Sequence, residues 1–501
     1  MDTKMTQEAG NHMAPWHSAN QPGHPGSDGA NRGTAHRFKG LGTRAMVGLT
    51  VALALGGCEL ALAPEHTAVL DDALPESTAI PAAWSSKGAA SSAVGDHWVA
   101  SFRDARMTSL VNEALTNNRD LTAAAARVQA ALQTAEIAGA PIMPWVGASA
   151  GSHQIRNLDA DRTHQHTGGA IAVSWEVDLW GKLRSGQAAA VADAAVVANE
   201  AVWASQSIAA TVGRSWIAYI EIGQLLAAAD DVVDQYAQLV SLAQKREAAG
   251  VVSDFDVVQA QGRLNAAKAA RVELRAQSNE AAAALEVLLG RYPSLKLKPA
   301  SSYPRMPGTL SAGLPLSLLD RRPDVVAARE QVIAAFYNVE VAKLTRLPGI
   351  SLTAAGGKLV DPSLALLGAG NPGFLQIGVG LLQPIFMGGA LQADVVRMTA
   401  RQAEATANYG QTVLEAFGEV EARMANEQLL RQALGSWQAS YDDAQDAVQL
   451  GEKDYDAGTI DMIALLNLTE FAIGRRINVI QSQAALLTNR VNLYLALGEN
   501  F

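Results

Sequence analysis

The sequence of 501 residues is poor in cysteine, in aromatic side chains and, over two long stretches, in proline. Its single cysteine, Cys58, excludes an intramolecular disulfide. No proline lies between Pro144 and Pro293, none follows Pro384, and aromatic residues make up only 5% of the chain. Alanine-rich stretches of this length without proline favour extended helices over a compact core built on aromatic side chains.

A basic surface and a supply of general bases are also missing. The formal net charge is −10 and no Lys/Arg cluster of the phosphate-binding kind occurs, so we predict no nucleic-acid partner. The last histidine is His166, which leaves most of the chain without the usual general base. Gly147-Ala148-Ser149-Ala150-Gly151 matches the nucleophile elbow of hydrolases, but Ser149 falls within a predicted strand. We therefore predict that the protein is not an enzyme and uses no cofactor.

The N-terminal region has the order of a secretory signal. Basic residues within 37–44 precede an apolar run over 46–57, which is shorter than the roughly 20 apolar residues that span a bilayer. Leu55-Gly56-Gly57-Cys58 resembles a bacterial lipobox, whose cysteine carries a diacylglycerol lipid and becomes the mature N-terminus. We expect lipidation at Cys58, and the alternative is a buried free cysteine. Glu59 follows, and in that class the absence of aspartate at this place favours the outer membrane.

The chain contains one structural unit twice. Residues recur in order at an offset of 204, and further along the chain at an offset of 208. The matching pairs include Asp120 with Asp324, Pro144 with Pro348, Gly250 with Gly458, and Gly290 with Gly498. Chance is a poor explanation for glycine and proline pairs that keep their order, so each half is predicted to fold in the same way.

Each unit is predicted to contain a helix, two strands, a very long helix and a return helix. The first helices cover 102–140 and 323–346, the strands 146–152, 171–179, 350–354 and 375–385, and the long helices 183–248 and 389–456. At about 1.5 Å per residue, each long helix spans roughly 100 Å.

Apolar residues in the return helices recur at spacings of three and four, which predicts a continuous coiled-coil seam. Only Glu470 interrupts the series in the last helix. Its members are Ile463, Leu466, Ile473, Ile477, Ile480, Ala484, Leu487, Val491 and Tyr494.

Period-two alternation marks the predicted strands as half-buried. Ile171, Val173, Trp175 and Val177 alternate with small or polar residues, as in a strand with one face in lipid and the other in a polar lumen. We predict no membrane-spanning helix beyond the signal, so a span has to come from strands. Four strands cannot close a barrel and open edges are excluded from lipid, so an oligomer is required.

The segment 153–166 is predicted to be an exposed polar hairpin loop. Its histidines and acidic residues are the only candidates for a metal site, and we predict that none is bound. They are His153, Asp159, Asp161, His164 and His166.

Four ordered motifs resemble those of the TolC-like outer membrane factors, in the NodT-type lipoprotein branch. Leu319-Asp320-Arg321-Arg322-Pro323-Asp324 is similar to the family's "RRPD" signature, and Asp178-Leu179-Trp180-Gly181 to its "DLWG" turn. The segments 347–352 and 383–389 resemble two further family motifs. The resemblance covers about 95–501.

This resemblance implies a mainly α-helical fold: a long antiparallel coiled-coil barrel, with four strands per protomer contributed to a trimeric twelve-stranded transmembrane β-barrel. It implies a lipid-anchored homotrimer in the bacterial outer membrane that extends into the periplasm. There it would meet a periplasmic adaptor (membrane fusion) protein linked to an inner-membrane pump. The expected function is the exit duct of a tripartite efflux or secretion system that passes small molecules outward. A coiled-coil envelope scaffold or adhesin without a pore is the alternative, and drugs, metals and proteins all stay open as cargo.

The corresponding domain organisation has five parts. These are a disordered extension and signal peptide (1–57), a lipidated segment (58–100), a first repeat (101–300), a linker (301–319) and a second repeat (320–501).

The candidate functional residues lie in the turns between paired helices, where glycine is expected to end one helix and serine or aspartate to begin the next. The resemblance implies that these tips form the periplasmic entrance and dock the adaptor. They comprise Gly250, Ser253, Asp254, Gly458, Thr459 and Asp461. Some relatives carry acidic rings at positions that match Ala464 and Asn467, so Asp254, Asp256 or Asp461 would have to substitute. Arg321, Arg322, Pro323 and Asp324 are interpreted as a structural helix start.

Overall fold

The computed structural model describes residues 61–74, 78, 80–86, 97–157, 162–308, 310, 312–360 and 373–500. These belong to one unit, Cys58–Phe501. Cys58 itself, the predicted signal and Asp159 and Asp161 of the predicted loop lie outside the described residues.

Helices, two strands and a long helical hairpin follow one another in each half. The first half contains α1 (His66–Ala73), α2 (Trp98–Ser101), α3 (Ala105–Asn117), α4 (Arg119–Gly139), β1 (Trp145–Asn157), β2 (Arg162–Val177), α5 (Lys182–Ala248) and α6 (Asp254–Leu288). The second contains α7 (Leu318–Arg321), α8 (Pro323–Leu344), β3 (Gly349–Val360), β4 (Gly373–Leu382), α9 (Ala390–Asp456) and α10 (Met462–Ala496).

The two halves have helical hairpins of equal length. Helices α5 and α9 each contain 67 residues, and α6 and α10 each contain 35. A helix of 67 residues is about 100 Å long. None of the helices that the structure describes combines the length and apolarity that a membrane span requires.

The prediction of one continuous helix over 102–140 is wrong, because the chain breaks at Asn118. This residue is extended, and its side-chain oxygen accepts hydrogen bonds from the backbone N–H groups of Asp120 (2.9 Å) and Leu121 (3.2 Å), which caps α4. Its Nδ2 donates to the carbonyl of Leu288 at the end of the return helix (2.9 Å). The capping bonds replace those that a continuous helix would make through this residue.

The second half has the same break at Arg322, which holds the place of Asn118 in the repeat. Arg322 is extended between α7 and α8, and its Nη1 donates to the carbonyl of Ala496 at 3.3 Å. Ala496 corresponds to Leu288 at the repeat offset. Each half therefore uses a side chain at the helix break to satisfy a carbonyl that the return helix leaves without an intrahelical partner.

The four strands form one antiparallel sheet in the order β1-β2-β3-β4. The register aligns Trp175 with Leu352 and Leu352 with Val379, so the alternating apolar residues of neighbouring strands share one face. Ser174 pairs with Thr353, and Thr353 with Gly378, on the other face. One face of the sheet is thus mainly apolar. The other face carries small and polar residues along its middle, with Trp145, Phe374 and Leu382 towards the strand ends.

The predicted strands were displaced or too short. Strands β1 and β3 extend beyond 146–152 and 350–354, while β2 and β4 begin earlier than predicted and end at Val177 and Leu382. The prediction of a loop over 153–166 is wrong for most of its length, because His153 lies in β1 and pairs with His166 of β2, next to the pairing of Ile155 with His164. Runs of mostly polar residues at 153–157 and 162–166 hid the strand pattern, because they show no alternation of apolar with polar side chains.

The described helices pack around two buried clusters. The larger cluster contains most of the buried aromatic side chains, including Trp98, Phe102, Trp216, Tyr409 and Tyr494. The smaller lies near the helix-turn tips and includes Tyr236, Leu264, Tyr455 and Leu466.

The predicted seam of α10 is not continuous. Ile463 is 39% exposed, and Ile473 and Ile477, unlike Leu466 and Ile480, are only half-buried. The core is therefore interrupted between the two clusters.

Candidate functional site

The two helix-turn tips have the same backbone geometry. Gly250 and Gly458 follow α5 and α9 with φ values of 71° and 73°, in the left-handed region where glycine carries no steric cost. The N–H of Val251 donates to Arg246 O, and the N–H of Thr459 to Asp454 O, each at 2.9 Å. These bonds define a Schellman C-cap at both tips, which reverses the chain sharply.

The return helices are capped at equivalent positions by different chemistry. The Asp461 carboxylate accepts the N–H of Ala464 at 2.8 Å at the start of α10. At the start of α6, the Ser253 N–H donates to the Asp256 carboxylate at 3.2 Å. Asp254 is the first residue of α6 and is exposed, as is Thr459, whose hydroxyl donates to Asp454 O at 2.8 Å.

Arg246, which the sequence did not single out, joins the two tips. Its Nη1 donates to the carbonyl of Tyr455 at 2.8 Å, its Nη2 lies 3.2 Å from the Asp456 carboxylate, and its guanidinium is 4.0 Å from the centre of the Tyr455 ring. Burial raises the pKa of the Tyr455 hydroxyl, although nearby Arg246 opposes this. The sequence feature that could have identified Arg246 is its position as a basic residue in the last turn of α5.

Two further ion pairs connect the first helical hairpin to the last helix. Arg263 of α6 pairs with Glu470, the residue that interrupts the predicted seam. Arg476 of α10 pairs with Asp231 of α5 at 2.8 Å. Glu470 is thus an interhelical partner, which explains a charged residue at a seam position.

The Arg321–Asp324 segment forms a buried junction. Pro323 is the first residue of α8, and Arg322 immediately before it is 3% exposed. The Arg322 guanidinium donates to both Asp324 carboxylate oxygens (3.0 and 2.6 Å) and to Glu419 of α9 (2.7 Å). Burial lowers the pKa of Arg322, but both carboxylates raise it and prevail, so the group is held charged. Arg321 ends α7.

A second buried arginine, Arg490, was also missed. It is 1% exposed, donates from Nε to Glu427 at 2.7 Å, pairs through Nη2 with the other oxygen of that carboxylate, and donates from Nη1 to Gly308 O at 2.9 Å. Burial raises the pKa of Glu427, but Arg490 and Arg431 lower it more, so its net pKa is below the usual range.

Ser149 does not occupy the position of a hydrolase nucleophile. Ser149 lies in the interior of β1, paired with Ala170, and not at a strand-to-helix turn. Within the described part of the chain, no group of three or more His, Cys, Asp or Glu residues is placed to hold a metal ion.

The family comparison agrees with this architecture. The model described as "Outer membrane efflux protein" matches residues 110–291 and 314–499, one segment in each repeat and together more than half of the chain. The chain belongs to the outer membrane efflux protein family. The resemblance read from the sequence motifs is therefore confirmed.

Individual relatives of this outer membrane efflux protein match along nearly their whole length. The pyoverdine export outer membrane protein OpmQ of Pseudomonas aeruginosa is 29% identical over 467 residues, which cover 90% of this chain and 95% of OpmQ. The probable outer membrane lipoprotein SilC of Salmonella typhimurium is 27% identical, with 90% and 98% covered. The crystal structure of the Campylobacter jejuni CmeC outer membrane channel shares the fold, with a TM-score of 0.79 at 21% identity, and the match covers 88% of this chain and 95% of CmeC.

Family membership gives the location and general role of the chain. It is an efflux protein of the outer membrane. The scaffold or adhesin alternative is set aside, because the family consists of channels.

Proposed function

We propose that three copies of this chain form a lipid-anchored, non-enzymatic exit duct that receives small molecules from a periplasmic adaptor and an inner-membrane pump. The four strands of each copy contribute to one twelve-stranded barrel, and the helical hairpins form the periplasmic tunnel. The observation that carries the proposal is the two-faced sheet with two edges that no strand of the described chain covers.

The apolar face of the sheet supports a position in lipid. On β4, Leu375 is 77% exposed and Val379 is 75% exposed, which is unfavourable in water for a row of large apolar side chains. Lipid contact removes this cost, provided that every backbone group finds a partner. Strands β1 and β4 are the sheet edges, and pairing β4 of one copy with β1 of the next satisfies both.

The tips support a docking role for the end of the helical body. Gly250, Thr459 and Asp461 are exposed at the ends of two hairpins of equal length, and the Arg246 contacts fix the hairpins relative to each other. Three copies present six such turns, so an adaptor would meet similar surfaces around the ring. We propose that Ser253, Asp254 and Gly458 belong to the same surface.

The proposed trimer can be tested by the mass of the intact assembly. Native mass spectrometry of the mature protein in detergent is expected to give a species of three chains, because three copies of four strands reach twelve, a number that closes into a barrel without edges. A stable monomer as the main species would contradict this assembly.

We also propose that Cys58 carries the covalent lipid. Cys58→Ser is expected to leave the signal unprocessed or the protein in the wrong membrane, because the lipobox cysteine is both the lipidation site and the new N-terminus. Mass spectrometry of the mature wild-type N-terminus measures this directly, and an unmodified Cys58 would contradict it. A Cys58→Ser protein that reaches the outer membrane is expected to form the same trimer, since the sheet and not the lipid closes the barrel.

A further inference from the structure

A cavity of about 470 Å³ lies where the hydrophobic core of the long helices is interrupted. All four helices α5, α6, α9 and α10 of one chain line it. It occupies the level of Ile473 and Ile477, which were predicted to pack in the seam. Both line the cavity and are half-buried, and Ile473 also packs against the smaller cluster.

Small side chains create this space. Alanines stand where large residues would close the interface: Ala228, Ala229, Ala267, Ala270 and Ala472. The larger and the smaller buried clusters hold the helices together on either side of the cavity. The helices therefore cannot move together to close it, and the volume persists.

The floor of the cavity is apolar. Half-buried Leu225, Val232, Leu274, Ile473 and Ile477 line it. An apolar body placed against these side chains would gain the dispersion contacts that the helices do not supply to each other.

The rim carries amides and hardly any net charge. Its five glutamines are Gln235, Gln277, Gln445, Gln449 and Gln481, all of them exposed. Gln445 donates to the hydroxyl of Tyr441 at 2.8 Å, and the one lining cation, Arg476, pairs with Asp231 at 2.8 Å. The rim therefore offers hydrogen bonds to a polar group without requiring the group to be charged.

We infer that this cavity is a binding site for an uncharged amphiphilic small molecule, with its apolar part on the floor and its polar group among the rim glutamines. The cavity resembles known small-molecule sites between helices in its volume, its apolar lining and its few polar groups. The inference goes beyond the proposed function, because it depends on one chain and not on the trimer, the adaptor or the pump.

The test uses the full mature protein in lipid nanodiscs and a diazirine-bearing octanol as probe. After irradiation, peptide mass spectrometry is expected to find adducts on the segments around Ala270 and Ile473. Unlabelled octanol is expected to compete better than octanoate or octylammonium, because the Arg476–Asp231 pair leaves no excess charge for either ion.

Two matched variants locate the site. Ala270→Trp fills the cavity and is expected to reduce labelling about tenfold, equivalent to ~1.4 kcal/mol of lost binding. Ala269→Trp adds the same bulk to the adjacent exposed residue, which does not line the cavity, and is expected to leave labelling unchanged. Ala229→Leu fills the cavity from α5 and guards against a folding defect specific to position 270.

Three results would overturn the inference. One is labelling that is equal in both position-270 and position-229 variants and in the wild type. Another is competition by the charged analogues as strong as that by octanol. The third is a crosslink to another protein, formed in intact cells by a photo-reactive amino acid at position 270 and not reduced by added octanol. The cavity would then hold a helix of a partner protein. A failure of the trimer or of adaptor docking changes none of these readouts.

Discussion

Replacement of Arg490 with methionine is expected to lower the free energy of unfolding of the helical body by about 3–5 kcal/mol. Arg490 is 1% exposed and bonds both oxygens of the Glu427 carboxylate, so its removal leaves a largely buried carboxylate without its main partner. It also frees the carbonyl of Gly308, which Arg490 holds at 2.9 Å and which lies in the predicted linker. The change therefore loosens the contact between α10, α9 and the segment that joins the repeats.

Chemical unfolding in detergent, followed by circular dichroism, measures this effect. The matched control is Arg431→Met, because Arg431 bonds the same carboxylate from an exposed position and is expected to contribute about 1 kcal/mol or less. The pKa of Glu427 is lowered in the folded protein, so the stabilisation is present above its ordinary value of 4.5 and is lost as pH falls through the depressed value. Equal losses in the two variants, or a difference that does not become smaller in strong acid, would contradict the assignment.

A β-branched residue at Gly458 or Gly250 is expected to weaken adaptor docking about tenfold, ~1.4 kcal/mol, at unchanged trimer level. Both glycines have φ above 70°, where a side chain costs about 1–2 kcal/mol, yet an added Cβ would meet no atom within 4 Å. Valine therefore distorts the exposed turn without clashing inside the protein. The effect belongs to the surface of the tip.

Asparagine separates bulk from strain, because it tolerates the left-handed conformation. Gly458→Asn is expected to keep the turn geometry, whereas Gly458→Val changes it, and both add side-chain atoms to the docking surface. Export per trimer and adaptor crosslinking at Thr459 are the measurements. If both are normal in the valine variants, the tips are not the docking surface. If export falls only in proportion to protein level, the glycines serve folding alone.

Residues at repeat-equivalent positions show what the sequence can and cannot reveal. Gly290 and Gly498 match in sequence and in structure: both have positive φ, and a Cβ would meet Asn117 O at the first and Arg321 O, 2.9 Å away, at the second. Asn118 and Arg322 are equally equivalent, but their side chains differ, so the helix start predicted at Pro323 had no visible counterpart in the first half. Function at that position depends on reaching a carbonyl of the return helix, and chemically different side chains can do so.

Local periodicity predicted the long helices well because their pattern repeats over many turns. It failed where a partner distant in sequence decides the structure. Glu427 and Arg490 are 63 residues apart, and Arg246 and Asp456 are 210 apart. The strand ends were predicted wrongly for a related reason. The register of the hairpin sets the pairing of His153 with His166, and no apolar alternation marks it in the sequence.

We propose that the small and polar face of the sheet lines a water-filled path through the outer membrane. Single-channel recording in planar bilayers tests this with two cysteine variants of the mature protein, in which the proposed lipid on Cys58 leaves its sulfur unreactive toward thiol reagents. Ser149 lies on the polar face and Val379 on the apolar face, where it is 75% exposed. We expect stepwise currents, which a charged thiol reagent reduces for Ser149→Cys and leaves unchanged for Val379→Cys. Absence of stepwise currents from the correctly assembled trimer, or reagent sensitivity at Val379→Cys and not at Ser149→Cys, would contradict it.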